Sequence, residues 1–200
     1  MPPRLLMPAR SLVLARSLVL AATASLTLVG MAPDAARSDQ RDARLDPLFA
    51  RLQSTASDTE AQAIERRIWL IWSESAESRL DVLMQEGVVA MAQRRLRAAL
   101  ERFDRMVEQA PDFAEAWNKR ATVHFLMGDY RASVRDIQRT LDLEPRHFGA
   151  LSGLGLIYDA LEQPAAALRS FEAAVAINPH LGSTRARIEQ LRRELGGSAI

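Results

Sequence analysis

The chain has 200 residues, 48% hydrophobic and 26% charged, a foldable composition rather than a disordered or fibrous one. Its 26 basic and 25 acidic side chains leave a formal net charge of +1, which argues against a general nucleic-acid binder. With no cysteine, disulfides, thiolate metal sites, a cysteine nucleophile and a lipid-modified N-terminal cysteine are all excluded.

Charge is uneven along the chain. Residues 1–37 hold Arg4, Arg10, Arg16 and Arg37 against Asp34 alone, a net of +3, so residues 38–200 are mildly acidic at −2. From Ser17 to Pro33 no residue is charged, and the run from Leu18 to Val29 is strongly apolar. An arginine-bearing start, an apolar core and small residues after it (Gly30, Ala32, Ala35, Ala36) predict a signal peptide over 1–37. Its cleavage site is poorly defined, because a cut after Ala32 leaves Pro33 next in line. Seventeen uncharged residues also reach the lower limit for a spanning helix, so the alternative is an uncleaved signal-anchor. Basic residues ahead of the apolar run direct the remaining chain out of the cytoplasm. Residues 38–44, polar and Arg/Asp-rich, read as a linker.

Ser57 and Glu60 have capping-box spacing ahead of a helix that carries Ala61, Ile64, Ile68 and Ile71. Trp69 and Trp72 lie on the same helix and read as core rather than as a cofactor or sugar platform. Pro47 to Gln53 is the expected partner helix. From residue 80 the chain repeats. Pro111, Pro145 and Pro179 are each 34 residues apart. The same spacing aligns Leu83, Trp117 and Leu151; Gly87, Ala121 and Gly155; Ala90, His124 and Tyr158; Ala99, Ser133 and Ala167; and Phe103, Ile137 and Phe171. Small residues let antiparallel helices approach, large ones fill the spaces between pairs, and each proline stops the second helix of its unit. Gly128-Asp129-Tyr130 and Gln163-Pro164 supply turns midway. After the last unit, Ser183 is positioned to cap a helix with Ile188, Leu191 and Leu195 on one stripe, ending at Gly196-Gly197.

This pattern resembles the tetratricopeptide repeat, whose signature is a 34-residue period with W-x2-L-G-x2-Y…A-x3-F…P. The third unit supplies Leu154, Gly155, Tyr158, Ala167, Phe171 and Pro179; the second keeps Trp117 and Pro145; the first keeps Gly87, Ala99, Phe103 and Pro111 but has Arg94-Arg95-Leu96-Arg97 at its turn. The resemblance implies an all-α, right-handed α-solenoid with N- and C-terminal helical caps. Its units are 80–113, 114–147 and 148–181, with a degenerate repeat or N-terminal cap over 45–79 and a C-terminal capping helix and tail over 182–200. Trp69 and Trp72 fall 34 residues before Phe103 and Met106.

In that family the first helix of each pair lines a concave groove that holds segments of other proteins. Mapped here, the groove residues are Met84, Val88 and Met91 in the first unit, Asn118, Lys119, Thr122 and Phe125 in the second, and Ser152 and Leu156 in the third. Asp81, Gln85, Glu115, Gly149, Gly153 and Asp159 map to the same face. Some members clamp the acidic tail of heat-shock chaperones with basic and amide side chains. The matching positions here are Met84, Val88, Lys119, Gly149 and Gly153, and a single cation among them does not hold two carboxylates. Methionine, valine and phenylalanine suit an apolar peptide or an amphipathic helix. The alternative is that the N-terminal helix pair or the linker fills this surface. Asn118 reads either as an amide for a peptide backbone or as a solvated helix residue.

Catalytic signals are missing from the sequence. His124, His147 and His180 form no H-E-x-x-H pair or i, i+4 set, and there is no G-x-S-x-G elbow or phosphate-binding loop. His124 stands at a packing position, whereas His147 and His180 follow interhelical prolines and read as loop residues. No catalytic residue, metal or cofactor is expected. Arg94, Arg95, Arg97, Arg102 and Arg105 read as a solvated face beside Glu101, Asp104 and Glu108, with an anionic partner as the alternative. One lysine, Lys119, against 25 arginines fits GC-rich bacterial coding. The expected function is therefore a non-catalytic adaptor that binds a partner peptide or helix in the bacterial periplasm. The alternative is a membrane-tethered assembly component in which a retained leader makes the only membrane contact.

Overall fold

The computed structural model describes residues 42–75 and 77–197, so the signal read into 1–37 and the linker up to residue 41 lie outside the described residues. Among those described, nine helices follow one another: α1 (Leu45–Ser54), α2 (Asp58–Ser73), α3 (Ser78–Ala92), α4 (Leu96–Gln109), α5 (Ala114–Leu126), α6 (Tyr130–Leu143), α7 (Phe148–Ala160), α8 (Pro164–Ile177) and α9 (Gly182–Gly197). The helices α3 to α8 form three hairpin pairs stacked as a right-handed solenoid.

Shape complementarity repeats with the sequence. Gly87 lies under the Phe103 ring, where an added Cβ would come within 2.5 Å of Cζ. Gly155 makes the same close approach to Phe171. The middle unit uses Ala121 against the smaller Ile137. Each second helix stops two residues before its proline, at Gln109, Leu143 and Ile177. The turns inside the pairs also share one device. Arg94, Gly128 and Glu162, spaced by 34, all have positive φ, at 57°, 81° and 54°. Asp129 then caps α6, its side chain accepting from the Ala132 N–H at 3.0 Å.

Ion pairs tie successive units together. The Arg120 guanidinium grips Asp136 through two 2.8 Å bonds and reaches back to Asp104 of the preceding unit at 2.9 Å. At the C-terminal end, Ile188 and Leu191 of α9 close the cluster around Ala167 and Phe171. This helix begins at Gly182, so Ser183 lies inside its first turn and is not the cap expected from its residue type.

The N-terminal pair departs from the 34-residue stacking. Leu45, Phe49 and Leu52 of α1 pack on Ala61, Ile64, Ile68, Ile71 and Trp72 of α2, and this cluster continues onto Phe148, Ile177 and Leu181 of the third unit. Ser57 caps α2 by accepting from the Glu60 N–H at 3.3 Å. The Glu60 carboxylate turns instead to Thr55 and Arg51, so the capping box is half formed. Glu77 stands 34 residues before Pro111, so the stop proline of the later units has no counterpart after α2, and Glu74 and Glu77 are both extended, with ψ of 135° and 113°.

Candidate functional site

Helices α3, α5 and α7 touch one another in sequence and make the inner face of the solenoid. Helix α2 is seated on that face. Trp69 occupies a notch at Gly149, where an added Cβ would lie 2.6 Å from its ring. Trp72 stacks on the His147 ring, with centroids 4.2 Å apart and planes 10° from parallel. Four polar links stand around this seat: Asp46–Arg146 at 2.7 Å, Asp58–His180 at 3.0 Å, Glu65–Asn178 at 3.4 Å and Gln53 to the Ala176 carbonyl at 3.4 Å.

Beneath the tryptophans lies a buried charge centre. Glu115 is 0% exposed. Its Oε1 is 2.8 Å from Lys119 Nζ, and its Oε2 accepts from Asn118 Nδ2 and His147 Nε2, both at 2.9 Å. The His147 Nδ1 accepts the Ala150 N–H at 3.1 Å, so Nε2 carries the proton that goes to Glu115. Lys119 also stands 5.3 Å from the Trp69 ring centroid. Burial alone would raise the Glu115 pKa, but the Lys119 charge and the His147 contact outweigh it and hold the carboxyl below its usual range.

The residues mapped to the groove fall into two openings. A cleft of about 570 Å³ between α2 and α3 is lined by Met84, Val88 and Lys119 together with Leu70 and Val89. A pocket of about 190 Å³ between α5 and α7 gathers Asn118, Thr122, Phe125, Ser152 and Leu156, its floor opened by Gly149 and Gly153. Val88 and Leu156 are exposed, Met84 is largely sunk in the first unit's core, and Met91 packs against that core. Trp69, in contact with both Lys119 and Gly149, stands where the two openings meet. Asn118 is buried rather than solvated, and its amide donates to Glu115. Thr122 Oγ1 donates to the Asn118 carbonyl at 2.9 Å, whereas Ser152 Oγ is buried without a partner.

His147 lies in the link between α6 and α7, as its place after Pro145 predicts, but it is wholly buried there and caps α7. The signal was available in the repeat register, where His147 aligns with Phe113, itself 1% exposed at the head of α5. Glu115 maps to the groove face by register, but nothing in the sequence marks it as buried, since a carboxylate in a helix's first turn is favoured there by the dipole alone. His124 does pack between helices, 3.8 Å from Asp136, and His180 lies in the α8–α9 link. Within the arginine group, Arg102 pairs with Glu86 at 2.6 Å.

Known proteins agree with this architecture. The tetratricopeptide repeat family model matches residues 84–126 and 119–181. A TPR repeat-containing protein of Rhizobium etli is 37% identical over 155 residues, which cover 78% of this chain and 76% of that protein. The SGT1 homologue of Bos taurus is 33% identical over 101 residues, half of this chain and 30% of its own length. Among solved structures, the first TPR of Spaghetti (RPAP3), bound to the HSP90 peptide SRMEEVD, superposes with a TM-score of 0.57 at 17% identity, covering 60% of this chain and 94% of that one. MamA superposes with a TM-score of 0.55 at 19% identity, covering 74% and 84%. On the repeat register, the helical stack and these relatives, the chain belongs to the tetratricopeptide repeat family.

Proposed function

We propose that this chain is a non-catalytic adaptor that holds a segment of a partner protein in the open parts of its inner face. The observation that carries the reading is the α2–α3 cleft, where Leu70, Val88 and Val89 remain exposed around a space of about 570 Å³. The pocket between α5 and α7 adds room for one aliphatic side chain. A structural relative holds an acidic chaperone peptide, but the chemistry differs here. The only cation among the five clamp positions is Lys119, and its charge is already met by buried Glu115. The segment recognised is therefore apolar, an extended peptide or an amphipathic helix.

Crosslinking and pull-down from intact cells tests this, comparing the native chain with a Val88→Glu, Leu156→Glu variant. Both residues are exposed, so helicity and melting should be unchanged. Partners captured by the native chain should disappear with the variant, and identical captures would remove the inner face from consideration. A fluorescent SRMEEVD peptide should show no saturable binding; tight binding would overturn the apolar specificity.

With this reading goes export. The leader over 1–37 acts as a secretory signal and the repeats work in the periplasm. The uncharged run from Ser17 to Pro33 supports a second reading, retention of the leader in the inner membrane with the repeats facing the periplasm. An intact mass beginning between residues 33 and 39 fits cleavage. A chain that starts at Met1 and stays in the membrane fraction fits the tether.

A further inference from the structure

The contacts that hold α2 on the inner face are those of a ligand in a site built without it. Asp58, Glu65, Trp69 and Trp72 fall on one stripe of α2, at successive spacings of 7, 4 and 3 residues. Each meets a separate feature of the repeats. Asp58 stands 3.0 Å from His180, Glu65 accepts from Asn178, Trp69 enters the notch at Gly149, and Trp72 stacks on His147. The features themselves need nothing from α2. His147 is fixed by Glu115 and the Ala150 N–H, and Glu115 by Lys119 and Asn118, all within α5, α7 and the link before α7. Asn178 accepts the His180 N–H and so shapes the rim from its own link. The helix is also separable. The cleft of about 570 Å³ stands between α2 and α3. Leu45, Phe49 and Leu52 of α1 pack on α2 and would leave with it as one pair. The fit has one fault: Trp72 Nε1 is buried without a hydrogen-bond partner. An indole donor that loses its water and gains no acceptor weakens the seat.

We propose that this seat is a second docking site, for an amphipathic helix of another protein bearing two carboxylates and two aromatic rings at the α2 spacing. Helices α1 and α2 are its resident occupant and are displaced when that helix binds. The rim selects acid, because Asn178 and His180 meet carboxylates there and Arg146 takes a further one, from Asp46. The floor selects rings, because it offers a flat imidazole, a glycine notch and the Lys119 ammonium 5.3 Å from the ring in that notch. A second copy's α2 would bring the same Trp72 and the same unmet donor. It gains nothing over the tethered helix, whose local concentration is about millimolar. A foreign helix whose second ring carries no N–H does gain. The seat lies apart from the α2–α3 cleft, so it stands or falls separately from the reading of that cleft as a binding groove.

Labelled synthetic peptides with the sequence of residues 42–75 test this by fluorescence anisotropy on the full chain. Asp58→Arg, Glu65→Arg in the chain loosens the resident pair at the rim and leaves the seat untouched. The natural peptide should bind this loosened chain at least about tenfold more tightly than the native chain. A peptide with naphthylalanine in place of Trp72 keeps two fused rings without the N–H, and should bind more tightly still. Adding Gly149→Val to the loosened chain fills the notch and should abolish both, with hydrogen exchange in α5 to α8 unchanged. Val88→Glu, Leu156→Glu should leave the binding in place; its loss would return the peptide to the open groove and overturn the proposal. Equal affinity for native and loosened chains overturns it too, as does binding that survives Gly149→Val, or no binding to a loosened chain whose repeats stay protected. A naphthyl peptide that binds no tighter removes the foreign helix as occupant. A loosened chain that sediments at twice its single-chain mass, and reverts with Gly149→Val, assigns the seat to a second copy instead.

Discussion

The three repeats and the N-terminal helix pair both bury large apolar side chains, yet they are held by different kinds of contact. In the repeats one solution recurs: a small residue under a large one, Gly87 under Phe103, Ala121 with Ile137 and Gly155 under Phe171. The N-terminal pair is fixed by contacts used once, the Trp72–His147 stack, the Trp69 notch and the Lys119 ammonium beside the Trp69 ring. A recurring contact is cushioned by neighbouring units, because a solenoid's stability is roughly a sum over units and their interfaces. A contact used once has no such reserve. Substitutions at the seat of α2 should therefore loosen α1 and α2 while the repeats persist.

The largest effect is expected from Glu115→Ala. It strands Lys119 and removes the acceptor of both His147 and Asn118, and breaking a buried pair in this way costs about 3–5 kcal/mol. Hydrogen exchange should rise in α1 and α2 well before α5 to α8. Two of the three tryptophans, Trp69 and Trp72, lie in the affected pair, so the emission should shift to the red. Uniform protection along the chain would show that the pair and the repeats melt as one unit.

Acid gives a reversible version of the same break. The carboxyls of Asp42, held by a hydrogen bond from Arg44, and Glu60, held by one from Arg51, lie below their ordinary values, and so does buried Glu115. A carboxyl whose folded pKa is depressed contributes stability above its unfolded value, 4.5 for a glutamate, and loses it as pH falls through the folded pKa. Asp42 and Glu60 lie at the N-terminal pair itself, and Glu115 holds His147 and Lys119, the residues against which Trp72 and Trp69 rest. Denaturation followed by tryptophan emission from pH 6 downward should thus show that pair opening first. Glu115→Gln should flatten the slope.

Gly149→Val probes steric fit alone. The new side chain meets the Trp69 ring, and overpacking of this kind costs about 1–3 kcal/mol. The loss should again be confined to α1 and α2. Gly153→Ala, whose Cβ would sit 3.6 Å from Ile137, serves as the near-neutral control.

The same contrast explains what could be read from the sequence. Period, helix pairs, stop prolines and small packing residues were legible because each signal occurs three times and a chance match at one position is corrected at the others. The N-terminal pair was legible as two helices, from the Ser57 cap and the isoleucine stripe, but its seat was not. The register placed Trp69 and Trp72 beside the first unit, and nothing local to them names His147, Phe148 or Gly149 as their neighbours. The groove was legible as a face, since Val88, Phe125 and Leu156 lie where the repeat pattern sets them. Its division into two openings depends on the position of α2, a long-range fact with no periodic signature.

The smallest effect tests the repeats themselves. The turn position with positive φ is filled by Gly128 in the second unit but by Arg94 and Glu162 in the first and third. Side chains with a Cβ are disfavoured there by about 1–2 kcal/mol, and glycine's greater freedom in the unfolded chain returns part of that. Arg94→Gly and Glu162→Gly should each stabilise by about 0.5–1 kcal/mol, whereas Gly128→Ala should destabilise by about 1 kcal/mol. Thermal melting of the three variants would show the pattern as two rises and one fall. If the repeats are the interchangeable units their packing describes, the two gains should match and add, because the turns are far apart and share no partner. Unequal gains would mean that Arg94 or Glu162 makes a contact worth keeping, and would locate where the three turns cease to be equivalent.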